Sequence, residues 1–494
     1  MNAKGRQYLD SSAPNDNDKA FIKDFLSYIP VKLVPAAIGF VNIIILMKLL
    51  PPSSYGIYSV VITINLLMVQ ISTSWLGQAI FYVYPDYYST RKSFFQGECL
   101  KLNLMAIIPI ALIGFIVITK MYNNNSLAII GIVSFVFLSF QSLIFALFQS
   151  SRNIVDQAIA AGGQSLSQLV LLYLLLFRNH GGERSALIAV AASYGVSLTL
   201  LIIRGKGRAF SPKINLSLPD REFTKKLLSF GGPMCIWFFA NYFYTFGDRI
   251  ILNQMTNSIA VGQYSAFRDL CTGMAGFLTM PLLMSSHPLF MAMKKNNCKR
   301  SEIESMIKMN ISRVLMLFIP FFVIMKKFGF ILINHFTKSS YKLSDLVMIL
   351  IITSILLGSI SMYVHKGLEI TGQTSTIARI AIIVALFSLA ANMIMAKLFT
   401  VVGVALVGVA SQILYIALVY YNVRNLIRPK IDILTIMRLS IWFILVEFIC
   451  KLLLFVPLNS QVNLFVQLII IFLATLCMYL VTPEFAFVKK ILHI

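Results

Sequence analysis

The chain has 494 residues, of which 58% are hydrophobic and 12% are charged, with a mean hydropathy of +0.80 and a formal charge of +23. A soluble domain carries about 25% charged residues, so this composition excludes a soluble globular protein and predicts an all-α protein that crosses the membrane many times. The basic residues lie mostly in short connections between apolar runs, which indicates membrane orientation and argues against nucleic-acid binding.

The N-terminal part of the chain predicts a polar segment followed by a first lobe. Residues 1–28 contain no apolar stretch ahead of a cleavage site, so we expect a cytoplasmic segment and no cleavable signal peptide. A hydrocarbon core of about 30 Å needs roughly 20 apolar residues per helix. Residues 29–203 supply six such spans. They are predicted at 29–50, 55–84, 102–122, 127–148, 158–177 and 185–203.

A basic cytoplasmic connector, residues 204–228, separates this lobe from a second one. Pro219 and Asp220 in the connector are typical of the start of an amphipathic helix on the membrane surface. The second lobe, residues 229–421, again supplies six spans. They are predicted at 229–252, 259–284, 311–325, 346–364, 376–396 and 401–421. Residues 422–494 add an accessory helix pair, 439–456 and 464–481, and a cytoplasmic tail.

The distribution of basic residues orients these 14 spans. If the spans alternate in direction, about 28 Lys and Arg residues fall on the side of the N-terminus and about 8 on the opposite side. Both termini are therefore predicted to be cytoplasmic. One span fewer or more would place heavily basic loops on the side opposite the cytoplasm. The asymmetry therefore also supports the number of 14 spans.

Two hairpins in the sequence resemble each other. Gly56, Tyr58 and Ser59 follow the turn of the first hairpin, and Gly262, Tyr264 and Ser265 follow the turn of the second, 206 positions later in each case. Six spans separate the hairpins, so both point the same way. The sequence therefore predicts two parallel repeats related by an axis along the membrane normal.

No motif in the sequence indicates covalent chemistry. The six cysteines have no paired spacing, the five histidines have no metal-site spacing, and no phosphate-binding loop or nucleophile-elbow motif occurs. We therefore expect no metal, no cofactor and a protein that is not an enzyme.

Polar residues inside predicted spans are the candidate site, because each costs several kcal/mol when it faces lipid and so tends to face a cavity or a partner. They come from four spans and are expected to line one central cavity. The candidates are Lys32 and Asn42 in the first span, Asn241, Tyr244, Asp248 and Arg249 in the seventh, Arg268 and Asp269 in the eighth, and Arg379 in the eleventh.

A structural role for these charges stays open. Two ion pairs are an alternative to a binding role, namely Asp248 with Arg268 or Arg249 with Asp269. Such a pair would only hold two helices together. Lys32 lies near the cytoplasmic end of its span, where its amine can reach the headgroups. Outside the repeats, the spacing of Glu447 and Lys451 predicts a local pair on one accessory helix.

Several segments of the chain resemble the polysaccharide flippases, namely the O-antigen and related flippases of the multidrug/oligosaccharidyl-lipid/polysaccharide exporter superfamily. The likeness is diffuse and covers nearly the whole chain. It is carried by 46–58, by 227–251 with Pro233, Asp248 and Arg249, by 261–265, by 368–373, and downstream by Asn392, Leu398, Phe399, 402–406 and Ser411.

This resemblance implies two helical lobes that alternate in access, in the cytoplasmic (inner) membrane of a bacterium. It implies as substrate an undecaprenyl-pyrophosphate-linked oligosaccharide moved to the periplasmic leaflet, with the polymerase machinery as a further partner. A cavity with more cations than carboxylates would offset the desolvation of a pyrophosphate. Coupling to a proton or sodium gradient is an option for driving the cycle.

Two alternatives remain at this point. A multidrug cation exporter of the same superfamily would need Asp248 or Asp269 unpaired in a net acidic cavity. A membrane polysaccharide polymerase or ligase would be expected to carry its large loops outside, whereas the longest connections here, 204–228 and 285–310, are predicted to be cytoplasmic.

Overall fold

The computed structural model describes residues 35–84, 92–151, 153–178, 181–205, 210–213, 217–295, 299–336, 341–430, 432–452 and 460–482. Across these ranges the chain is helical and forms no strand. Nine of the described helices are long and apolar enough to cross a membrane, by length and composition. The predicted class, an all-α multi-pass membrane protein, is confirmed.

The described part of the N-terminal half is a bundle of seven helices. They are α1 (Pro35–Leu49), α2 (Pro52–Val69), α3 (Trp75–Val83), α4 (Lys92–Tyr122), α5 (Asn125–Ser150), α6 (Ile154–Leu172) and α7 (Glu183–Gly205). A π-helical turn, Gln70–Ser74, joins α2 to α3, so the two form one apolar span. A second π-helical turn, Tyr173–Arg178, follows α6.

The C-terminal half repeats this design, and within the described residues it is followed by two further helices. Its helices are α8 (Arg221–Phe246), α9 (Asp248–Met255), α10 (Ser258–Lys295), α11 (Arg300–Phe336), α12 (Asp345–Val364), α13 (Lys366–Ile370) and α14 (Thr374–Val423), and the accessory pair is α15 (Ile433–Leu452) and α16 (Ser460–Val481). α14 consists of two helical segments separated by a kink at Thr400, which has non-helical dihedral angles (φ 51°, ψ −126°) and lies between the predicted eleventh and twelfth spans.

The repeat seen in the sequence is present in the structure with the same offset. α1 ends at Leu49 and α2 begins at Pro52, while α9 ends at Met255 and α10 begins at Ser258. These two hairpins pack against each other through α2 and α10. Their contact joins the halves at the end of the molecule where both turns lie, which we call the turn end.

α8 contacts both halves. It begins where the sequence predicted a helix start, because the Asp220 side chain accepts a hydrogen bond from the Phe223 backbone N–H (2.8 Å) and caps the helix. The helix then continues to Phe246 without a separate surface segment. Phe223 and Leu227 near its start pack with buried side chains of α3 and α4, whereas its last turns pack on α14.

The accessory pair is tied to the C-terminal half by charge. Glu447 of α15 lies 3.7 Å from the Lys326 amine and 3.2 Å from the Lys327 amine, both on α11. The predicted local pair of Glu447 with Lys451 is therefore replaced by a contact between helices. α11 continues to Phe336, so the two lysines lie inside a helix that is longer than the predicted span.

Candidate functional site

The site begins at a break between α8 and α9. In an uninterrupted helix the backbone N–H of Arg249 would donate to the carbonyl oxygen of Thr245. At Gly247 this pattern fails, and the Arg249 N–H instead donates to the Asp248 side chain (2.9 Å). The released Thr245 carbonyl accepts a hydrogen bond from the Arg268 guanidinium of α10. The break thus converts one helical carbonyl into an acceptor for a cation.

Arg268 and Asp248 form a buried ion pair between α10 and α9. Both residues are at most 5% exposed. The Tyr264 hydroxyl donates to the Asp248 carboxylate (2.7 Å), and the Arg268 guanidinium donates to the Tyr264 hydroxyl oxygen (2.5 Å). With the Thr245 carbonyl as a further acceptor, the Arg268 cation is surrounded by protein partners. Such an arrangement can join α9 and α10 without a substrate.

Arg249 and Asp269 form the second ion pair. Asp269 uses both carboxylate oxygens, because it accepts from the Arg249 guanidinium and, at 2.9 Å, from the Tyr55 hydroxyl of α2. The Asp269 side chain is 23% exposed, so this pair is more open than the first one. The Arg249 Nε is buried and finds no hydrogen-bond partner within the described part of the chain. Arg249 therefore retains an unused donor.

The aromatic ring of Phe246 lies beside both guanidinium groups. Its centroid is 5.7 Å from Arg249 Cζ and 5.5 Å from Arg268 Cζ. Cation–π contacts at this distance contribute about 0.5–1 kcal/mol or more where water is excluded. The ring therefore helps to hold two like charges close together.

A cavity of about 330 Å³ lies between the two halves next to the second pair. The N-terminal half supplies most of its wall from α1 and α2, and the C-terminal half supplies two aromatic residues and the ion pair. The lining residues are Ile43, Leu46, Tyr55, Tyr58, Ser59, Ile62, Thr63, Leu66, Tyr242, Phe246, Arg249 and Asp269. From Tyr55 to Leu66 the wall extends about 16 Å along α2, at about 1.5 Å per residue.

The cavity differs from the sequence-based expectation in its charge. An excess of cations was expected, but among the described residues the lining holds one arginine and one aspartate. The first ion pair lies outside the lining and is also neutral. Of the two arginines, Arg249 faces the cavity and Arg268 does not.

The two candidates of the first span have different outcomes. Lys32 lies outside the described residues, as does the segment 1–28. Asn42 is 2% exposed, and its amide donates to the Ser165 carbonyl oxygen of α6 at 3.4 Å. It therefore contacts another helix of its own half and is absent from the cavity lining.

The remaining candidates take no part in the two ion pairs. The Tyr244 hydroxyl donates to the Asn241 side-chain oxygen (2.8 Å), and the Tyr244 ring stacks on Tyr415 of α14 with centroids 5.6 Å apart. Tyr244 thus packs on α14, Asn241 bonds to Tyr244 within α8, and neither lines the cavity. Arg379 is exposed on α14 and does not line the cavity.

Reasoning from the sequence missed the contribution of α2. Tyr55, Tyr58, Ser59 and Thr63 line the cavity, and only the repeat had drawn attention to their segment. Their spacing of three and four residues places them on one face of a helix. Polar side chains along one face of an apolar span were the available signal.

Within the described ranges, no group of three or more His, Cys, Asp or Glu side chains is placed to hold a metal ion. The cavity wall offers hydroxyl groups, aromatic rings and one Arg–Asp ion pair. Such a set can bind hydroxyl-rich and anionic groups without forming a covalent bond.

Sequence comparison gives one family match. The sequence profile of the family described as polysaccharide biosynthesis protein matches residues 21–294, which is more than half of the chain. A search of curated protein sequences finds no match.

Solved structures with a similar fold are membrane transporters. The lipid II flippase MurJ in an inward closed conformation gives a TM-score of 0.72 at 14% identity and covers 91% of this chain and 97% of that chain. An inward-facing multidrug resistance MATE family transporter of the MOP superfamily gives 0.65 at 12% identity, with 79% and 95% covered. The Vibrio cholerae MATE transporter VcmN in the bent form gives 0.52 at 15% identity, with 83% and 98% covered. At these identities the likeness concerns the fold.

Proposed function

This chain belongs to the family of polysaccharide biosynthesis proteins, and on that premise we propose that it is a flippase for lipid-linked oligosaccharides. The proposed substrate is an undecaprenyl-pyrophosphate-linked repeat unit of an O-antigen or a related surface polysaccharide. The protein would move it from the cytoplasmic to the periplasmic leaflet of the bacterial inner membrane, with both termini cytoplasmic. Moving the substrate between leaflets forms and breaks no covalent bond, so the proposed activity is that of a transporter and not of an enzyme.

The observation that carries this proposal is the cavity between the halves. Its wall combines hydroxyl groups and aromatic rings, which suit sugar rings, with the Arg249 guanidinium, which suits a phosphate oxygen. A phosphate would compete with Asp269 for the donors of Arg249, and it would reach the buried, unpartnered Nε only in a state in which the halves lie further apart. The polyprenyl chain would stay in the surrounding lipid.

The size of the cavity supports alternating access. Pockets for drug-sized ligands have volumes of about 300–1,000 Å³, and a cavity of about 330 Å³ lies at the low end of that range. An oligosaccharide with its pyrophosphate is larger than such a ligand, so this cavity would hold only part of the headgroup. Transport of a whole repeat unit requires a state in which the halves lie further apart. We propose a proton or sodium gradient as the source of energy and the polymerase machinery as the recipient of the product.

Export of an organic cation is the second candidate. It is favoured by the partly exposed Asp269 carboxylate in the cavity wall. It is disfavoured by the pairing of that carboxylate with Arg249, since a bound cation would have to displace the guanidinium.

The test is surface polysaccharide in a flippase-deficient strain that carries the chain or its variants, with a membrane immunoblot for abundance. We expect Arg249→Gln to lower export about tenfold or more, because a charge-assisted hydrogen bond is worth about 1.5–3 kcal/mol. Arg249→Lys should keep part of the export, because an ammonium still attracts phosphate. The lipid-linked intermediate should accumulate as export falls.

Two controls separate binding from folding. The double variant Arg249→Gln with Asp269→Asn leaves no unpaired charge, and it should reach normal abundance without restoring export. Lys397→Gln removes an exposed cation of α14 outside the cavity and should export normally. Normal export by the double variant would show that the guanidinium is not required and would reject the proposed role of the cavity.

Orientation is tested separately. A cysteine at the exposed Asn125 should react with an impermeant reagent in intact spheroplasts, whereas a cysteine at the exposed Leu218 should react only after lysis. The opposite pattern would reverse the proposed direction of transport.

A further inference from the structure

The α2–α10 contact places one carboxylate between the cavity and the junction of the two halves. Gly262, Ser265 and Asp269 share a face of α10 at spacings of three and four residues. Gly262 of this face lies against the Pro52 backbone of α2. Asp269 accepts a hydrogen bond from the Tyr55 hydroxyl of the same helix α2. This face of α10 therefore forms the C-terminal side of the junction.

Asp269 has one partner in each half. Its Oδ2 accepts from the Tyr55 hydroxyl at 2.9 Å and from Arg249 Nη1 at 3.3 Å, and its Oδ1 accepts from Arg249 Nη2. Tyr55 is 1% exposed and belongs to the N-terminal half. The same carboxylate thus neutralises the cation of the cavity and holds the opposite half.

These two tasks conflict when an anion enters the cavity. An anionic group that binds Arg249 competes with Asp269 for the guanidinium, and it brings a second negative charge close to the carboxylate. A carboxylate that loses its countercharge in a largely buried position is unfavourable, and it gains from moving toward water. Such a movement breaks its hydrogen bond to Tyr55.

We propose that Asp269 couples occupancy of the cavity to separation of the two halves at the turn end, with Tyr55 as its partner in the N-terminal half. Binding of an anionic substrate group to Arg249 releases Asp269, and the released carboxylate no longer holds α2. The inference rests on the proposed function, because it requires a substrate with an anionic group. It assigns Tyr55 a positioning role in transport.

A cysteine at Ser265 reports on this junction. Ser265 is 0% exposed, and its hydroxyl has no hydrogen-bond partner among the described residues, so Ser265→Cys removes no hydrogen bond found there. The experiment uses the full-length protein in lipid nanodiscs, with its six native cysteines replaced. The measurement is the rate at which a water-soluble maleimide modifies the new thiol, with and without inorganic pyrophosphate.

We expect pyrophosphate to increase the modification rate about fivefold or more in the parent protein, since modification of a buried thiol follows the population of the open state. Tyr55→Phe should increase the rate without pyrophosphate and should remove most of the response. Arg249→Gln should also abolish the response, because the anion loses its ligand.

Tyr341→Phe is the matched control. The Tyr341 hydroxyl also joins the halves at the turn end, by donating to the Leu50 carbonyl oxygen (2.9 Å), and its ring packs against that of Tyr55. It makes no hydrogen bond to Asp269. Tyr341→Phe should therefore raise the basal rate at most modestly and keep the full response to pyrophosphate.

Three results would overturn the inference. They are an unchanged rate and response in Tyr55→Phe, a response that persists in Arg249→Gln, and the loss of the response in Tyr341→Phe as well. The surface polysaccharide assay separates the two proposals. A protein that exports glycan without responding to pyrophosphate contradicts the inference alone, whereas one that responds without exporting glycan contradicts the proposed function alone.

Discussion

Gly56 and Gly262 occupy equivalent positions in the two halves, and each lies against the backbone of the other hairpin. A methyl group on Gly56 would overlap the Ser258 carbonyl oxygen, and a methyl group on Gly262 would overlap the Pro52 carbonyl oxygen. Pro52 and Ser258 are themselves 206 positions apart, so the two contacts are copies of each other. The duplicated hairpins thus meet as a nearly symmetric pair.

The first prediction concerns this contact. A glycine inside a helix is less stable than alanine by about 0.5–1 kcal/mol, so Gly→Ala normally stabilises. At Gly262 we expect the opposite, because a backbone oxygen cannot rotate away from the new methyl group. Gly262→Ala should lower the thermal unfolding midpoint of the purified protein, whereas Gly276→Ala on the same helix, with no atom within 4 Å of the new carbon, should not. Equal unfolding midpoints for the two variants would show that α2 and α10 can move apart without a loss of stability.

The second prediction concerns Arg268, which the sequence offered as a ligand and the structure pairs with Asp248. Removing one member of a buried pair costs about 3–5 kcal/mol, whereas removing both charges is milder. Arg268→Ala should therefore lose thermal stability and membrane abundance, and Asp248→Asn with Arg268→Gln should recover much of both. If Arg268→Ala is as stable as the parent and still fails to export glycan, the ligand role is correct instead.

The third prediction concerns the kink within α14. Thr400 has a positive φ of 51°, which a β-branched residue rarely adopts. Strain of this kind costs about 1–3 kcal/mol, and part of the gain from removing it is offset by the entropy of glycine in the unfolded chain. Thr400→Gly should raise the free energy of unfolding by about 1 kcal/mol. Thr400→Val keeps the branched side chain and should give no increase, so a gain in both variants would point to a cause other than the backbone.

The fourth prediction concerns the attachment of the accessory pair. Glu447 contacts Lys326 and Lys327 of α11, whereas the Lys451 side chain is exposed. A double-mutant cycle of Glu447→Gln with Lys327→Gln, measured by thermal unfolding, should give a coupling energy of about 1 kcal/mol. The same cycle with Lys451→Gln should give a value near zero. A larger coupling to Lys451 would restore the local pair that the sequence predicted.

Some features of the site were accessible from the sequence because they depend on short-range pattern. Asp248, Arg249, Arg268 and Asp269 stood out as charges in apolar spans, and the structure brings all four together. Asn241 and Tyr244 were chosen by the same rule, yet they bond to each other within α8, and the Tyr244 ring stacks on α14 outside the cavity lining. A polar side chain in an apolar helix therefore indicates a partner, but the partner need not be a substrate.

The sequence by itself determined the membrane class, the helical fold and the repeat of the two hairpins. These follow from local composition measured against the thickness of a bilayer, and from a constant offset along the chain. Only the tertiary structure decided which arginine faces the cavity. Arg249 and Arg268 carry the same group in successive helices, and each has an aspartate within reach. The break at Gly247 frees the Thr245 carbonyl for Arg268, and the packing of α2 on α10 brings Tyr55 to Asp269. Both effects join residues that are distant along the chain, so no local pattern contains them.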